Sequence, residues 1–163
     1  MKRSIRKGLF ETNSSSVHTL CVDPKDIKTA NERTIHFGFG AFGWGPEVLN
    51  STQDKANYMW TRIYYLNPQL RDEYVKKLFA VMVDNNVKYT FTSFDEFEFD
   101  GSDCYIDHPE DNCGVFDIIE NNEVMQFLFN DSSNVILDND NSGFEDFGVS
   151  PVTHYKSKNF KIY

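Results

Sequence analysis

The densest polar run in the sequence is FETNSSSVH, Phe10–His18. Glu11, Thr12, Asn13, Ser14, Ser15 and Ser16 set small donors and acceptors just ahead of the His18 imidazole. Backbone N–H groups and hydroxyls in such a loop suit an anion, with Arg6 or Arg33 to balance its charge and His18 as donor or general base. A catalytic version pairs Ser14 or Ser16 as nucleophile with His18, although no G-x-S-x-G elbow accompanies them. The plain alternative is a polar turn that satisfies its own hydrogen bonds.

Asp107-His108 is the second imidazole site, in which a carboxylate orients a base that joins His18 in one cleft. The following Pro109-Glu110-Asp111-Asn112 equally fits a surface turn. His18 and Cys21, with Cys104, His108 and Cys113, supply metal-ligand types, but at irregular spacing; on a strand Cys21 points away from His18. The segment Asp138–Asp146, DNDNSGFED, matches the opening of a calcium loop, yet Val149 stands where a bidentate Glu is required, so an Asn/Asp/Gly turn is the stronger reading. No metal and no cofactor is therefore expected.

Positioning these residues falls to a chain of 163 residues with 40% hydrophobic and 15% aromatic content, enough for one domain with a real core. Ser16–Val22 and Arg33–Phe37 read as strands, and Asp23-Pro24 as the start of a turn or short helix through Asn31. Gly38–Gly45, GFGAFGWG, reads as a glycine and aromatic loop that lacks the order of a dinucleotide site. Ser51 caps a helix through Leu66, with Ala56, Met59, Trp60, Ile63 and Leu66 at helical spacing. Asn67-Pro68 opens a second helix to about residue 84, striped by Leu70, Tyr74, Leu78, Val81 and Met82. Strand spacing returns at Val87–Phe91 and at Phe97 and Phe99, and Asp100-Gly101 makes a turn before Cys104–Asp107. Val115–Glu120 and Glu123–Phe129 read as short helices, Asn134–Leu137 as a strand, and Val152–Tyr163 as an edge strand with exposed lysines. The expected fold is α+β, a single domain over 1–163 with a mostly antiparallel sheet and the helix pair (about 51–66 and 68–84) on one side.

Charge is distributed very unevenly. The formal net charge is −9. Residues 1–88 carry +4, residues 89–155 carry −16 without a single Lys or Arg, and residues 156–163 carry +3. A block without cations cannot neutralise itself locally, so it is either a solvated acidic face or a surface for a basic partner. Direct nucleic-acid binding through it is disfavoured, because phosphates are held by Lys and Arg. No apolar run is long enough for a membrane span, no signal region follows the basic start, and three unpaired cysteines fit a reducing compartment, so a cytoplasmic setting is expected.

The pattern R-x-x-x-F-E-T-N-S-S-S-x-H from Arg6 to His18 resembles the opening of a family of uncharacterised small proteins from low-GC bacteria and their phages. Thr52–Thr61 (TQDKANYMWT), Tyr105–His108 (YIDH) and Asn139–Asn141 (NDN) are similar to that family as well. The resemblance covers most of the chain; it implies a phage or mobile-element accessory protein and brings no established activity with it. Two functions are then in play. The first is an acidic factor that inhibits a host nucleic-acid-binding protein by filling its basic groove with Glu96, Glu98, Asp100, Asp103, Glu110 and Asp111. The second is a small nucleotide- or anion-binding protein, hydrolase or transferase, built on Asn13–Ser16, His18 and His108.

Overall fold

Two capped helices form the centre of the architecture. Ser51 Oγ accepts from Asp54 N at 3.0 Å and starts α1, Thr52–Tyr64; Asn67 Oδ1 accepts from Leu70 N at 3.1 Å and starts α2, Pro68–Asp84, with Pro68 in its first turn. In the computed structural model the described residues are 16–25, 27, 32–43, 47–95, 104–106, 114–139 and 160–163, with the backbone alone for Ser16, Val17, Asp138 and Asn139. The strands are β1 (Ser16–Val22), β2 (Arg33–Phe37), β3 (Ala41–Phe42), β4 (Glu47–Leu49), β5 (Val87–Phe91), β6 (Tyr105–Ile106), β7 (Asn134–Asn139) and β8 (Lys161–Ile162). Two short helices, α3 (Gly114–Glu120) and α4 (Val124–Phe129), complete the α+β fold.

The main sheet is antiparallel, in the order β4-β7-β1-β8. Its register places Ser16 opposite Asn139 and Cys21 opposite Asn134. Two further pairs are parallel: β2 with β5, and β3 with β6. The connection from β2 to β5 runs through α1 and α2, and α1 lies chiefly on β2 while α2 lies on β5. One hydrophobic core joins all three sheets to the helices, with Leu20, Phe37, Tyr58, Trp60, Leu78, Ile106, Phe127 and Leu137 fully or almost fully buried. Trp60 stacks on Phe94 at 4.4 Å and on Phe79 at 5.8 Å, and its indole N–H donates to Thr92 O at 3.1 Å. The aromatic stripe of α1 is therefore packing.

The sequence-based reading differs from the structure at several places. Gly38–Gly45 contains β3 within what looked like an unbroken loop. Gly43 has φ 114°, a conformation glycine adopts without strain, and a Cβ at Gly40 would meet the Phe42 ring at 2.6 Å. Asp138 and Asn139 belong to β7 rather than to a turn. The expected terminal strand is described only as Lys161–Ile162, at the sheet edge. Phe97 and Phe99, the Asp100-Gly101 turn and Asp140–Asp146 lie outside the described residues.

Candidate functional site

β1 sits inside the main sheet with both faces covered, so Leu20, Cys21 and Val22 are all fully buried. His18, near the start of the strand, does not stand clear of the fold. The His18 ring instead lies 5.7 Å from the Tyr58 ring, with Nδ1 3.0 Å from the Tyr58 hydroxyl. Strand alternation puts His18, Leu20 and Val22 on the face toward α1, and Cys21 on the other. A half-buried imidazole is tolerated there because α1 offers it a hydroxyl.

α1 runs antiparallel to β1. Near its start, Lys55 Nζ donates to Asn130 O and Ser133 O, each at 2.9 Å, and Ser133 Oγ accepts from Asp23 N, just past the end of β1. Further along α1, Tyr58 meets His18. Continuing toward the end of α1 therefore means moving back along β1 toward Ser16. Arg62 stands one turn beyond Tyr58 on the same helix face, about 6 Å farther along the axis. It is 4% exposed, and its guanidinium lies 5.2 Å from the centre of the Phe116 ring.

The same end of α1 collects β3 and β6. The Phe42 ring packs edge-on to Tyr58 at 5.2 Å, and Phe42 pairs with Ile106 across the ladder. β6 packs directly against α1. Along the chain, Ser16 closes the FETNSSS run, and Ile106 directly precedes Asp107-His108. The side chains of Arg6, Glu11, Thr12, Asn13, Ser14, Ser15, Ser16 and His108 lie outside the described residues, as do Glu96, Glu98, Asp100, Asp103, Glu110 and Asp111.

Electrostatics separates the two ends of α1. Burial holds the Tyr58 hydroxyl strongly protonated, partly opposed by the positive charge of Arg62. Burial also lowers Lys55 to about 8, with Asp131 opposing that shift. Arg33, the other expected counter-charge, stacks its guanidinium 4.9 Å from the centre of the Phe129 ring. Cys21 and Cys104 are buried thiols pushed up to about 12 and about 11, which makes them poor thiolates. Among the described residues no three His, Cys, Asp or Glu side chains gather to hold a metal.

The chain matches no family model, no curated protein and no solved structure. Its site must be read from geometry alone. Tyr58, Lys55 and Arg62 escaped the sequence reading, which took α1 as an apolar stripe. The signal was present: Lys55 and Arg62 lie four residues before and three after Met59, which places two cations on the face marked for burial.

The described part of the acidic block meets lysines from elsewhere. Lys77 of α2 bonds Glu120 at 2.6 Å and Glu73 at 2.8 Å, and Lys161 of β8 pairs with Glu123. Lys77 holds the exposed Glu120 carboxyl below its ordinary range. Asp95, Asp117 and Asp131 are exposed. No described helix is long and apolar enough to cross a membrane.

Proposed function

We propose that the chain is an acidic phage or mobile-element accessory protein that binds and inhibits a host nucleic-acid-binding protein, with anti-CRISPR and anti-restriction factors as examples of the class. One observation carries this reading. The 89–155 block holds sixteen carboxylates and no cation. Among the described residues, the lysines ion-paired with its carboxylates are Lys77 of α2 with Glu120 and Lys161 of β8 with Glu123, at the far ends of α3 and of the α3–α4 turn. Glu96, Glu98, Asp100, Asp103, Glu110 and Asp111 supply the charge that a basic groove would complement. In this reading the protein acts in the host cytoplasm, touches no nucleic acid itself and competes with phosphates for the groove.

Such a contact is steered by long-range charge, so it must weaken with salt. Binding of the full chain to purified host restriction nucleases and CRISPR effectors, measured at low and high salt, tests it. The expected result is association with at least one of them that weakens about tenfold or more between roughly 50 and 300 mM salt. Replacing the six carboxylates by their amides must reduce binding to the same partner. Absence of binding to the whole panel at low salt would remove the proposal.

A further inference from the structure

We infer that the outer edge of β5 pairs with the same edge of a second copy of this chain, antiparallel about a two-fold axis at Thr90, to give one continuous sheet in the order β2-β5-β5-β2. This stands independently of the acidic-half proposal and uses none of the same side chains.

The two edges of the β2–β5 ladder are treated differently. Thr92 N donates to Phe37 O at 2.9 Å, which fixes the phase of the parallel pairing. Lys88, Thr90 and Thr92 therefore turn their backbone groups toward β2, and Tyr89 and Phe91 turn theirs to the opposite side. On β2 the outward groups are met by α1: Gln53 Nε2 donates to His36 O at 2.7 Å, and Asn57 Oδ1 accepts from Gly38 N at 3.2 Å, just past the strand. Among the described residues, nothing bonds the outward N–H and C=O groups of Tyr89 and Phe91. Free edges are normally blunted by charge, proline or a bulge, yet the strand VKYTF carries Lys88 alone and is otherwise made of strong β-formers. Phe91 is 48% exposed at its end.

The edge is complementary to itself. Antiparallel pairing about Thr90 sets Tyr89 of each copy opposite Phe91 of the other as a hydrogen-bonded pair, which satisfies the outward groups of both residues at once. Thr90 meets its own equivalent, a small side chain at the close, non-hydrogen-bonded position. Tyr89 and Phe91 lie on the face packed by Phe79, at 4.4 and 5.1 Å between ring centres, so the junction extends the aromatic core and covers Phe91. Charge agrees with the pairing. Lys88 is the last cation before the 89–155 block and Asp95 its first carboxylate, and both are exposed. The two-fold lays the Lys88 end of each strand toward the Asp95 end of the other and keeps the two Lys88 side chains apart. One strand pair covers less than the roughly 1,200 Å² of a stable interface, so the dimer is weak.

Sedimentation equilibrium of the full chain, in about 150 mM salt to screen the net charge of −9, tests the pairing. A monomer–dimer equilibrium with Kd of about 10–100 μM is expected. Thr90→Lys and Thr90→Glu each set like charges directly opposite and are expected to weaken the dimer about fivefold or more, whereas an equal mixture of the two variants restores association, because unlike charges then face each other. Circular dichroism checks that both variants fold. Should either fail to do so, Phe91→Ser decides, with an expected loss of about threefold or more. A wild-type chain that stays monomeric to about 500 μM overturns the inference, as does a dimer that the folded Thr90 variants, or the folded Phe91→Ser chain, leave intact.

Discussion

Lys55 shows how a single buried amine links packing to pH. Its Nζ serves two backbone carbonyls with no exposure to solvent. Its pKa is lowered to about 8, so between that value and the unfolded value near 10.4 the unfolded chain binds more protons than the folded one. Stability from this group is therefore complete above about pH 10.4 and is lost as pH falls through about 8. Lys55→Met leaves two carbonyls without their donor and should cost about 1–3 kcal/mol at neutral pH. Urea denaturation at a series of pH values checks the sign: the gap between wild type and variant must widen from pH 7.5 to 10. Tyr58→Phe tests the neighbouring contact. It strips the hydroxyl from His18 Nδ1 while keeping the ring against Phe42, and a loss of about 1–2 kcal/mol in the same assay is expected.

At the scale of elements, the helices were legible because their ends are written locally. Ser51 and Asn67 cap as expected, and Pro68 restarts the chain; the observed helices fall within two residues of the bounds read from sequence. Asn67→Ala should destabilise the protein by about 1 kcal/mol in thermal or chemical denaturation. Asn86 and Asn122 end α2 and α3 in left-handed conformations, at φ 54° and 57°. Asn122→Gly should be neutral to slightly stabilising, whereas Asn122→Val should cost more than 1 kcal/mol, since a β-branched side chain resists that conformation. The strands were only partly legible. β1, β2, β5 and β7 show in their composition, but β3 and β4 span two or three residues and carry no period of their own. Parallel pairing of β2 with β5 depends on the two helices between them, not on either strand's sequence. The orientation of His18 was hidden for a similar reason: alternation tells which residues share a face, and only the helices packed on the sheet decide which face is covered.

At the scale of the molecule, charge and edges set the behaviour. A net charge of −9 makes the folded chain repel itself, so raising salt from about 20 to 500 mM should increase Tm by a few degrees, apart from any partner. The β8 edge is held by backbone bonds between Tyr163 and Leu20 in both directions and by Glu123, which accepts from Lys161 and from the Tyr163 hydroxyl. Glu123→Gln should weaken this clamp by about 0.5–1 kcal/mol, because Lys161 is half-exposed. Removing residues 161–163 uncovers the Leu20–Val22 edge and should produce concentration-dependent self-association in analytical ultracentrifugation.

The register of the main sheet also dictates an order of events during synthesis. β1 emerges from the ribosome before most of the chain, yet its ladder partners are Asn134–Asn139 and Lys161–Ile162. The two long helices and the β2–β5 ladder lie within residues 33–91, so this unit can begin to form while translation continues. β1 must wait. Its apolar stretch Leu20–Val22 stays available to chaperones or to neighbouring nascent chains until the last strand has been made, so the yield of folded protein should depend on how quickly the final third of the chain is translated.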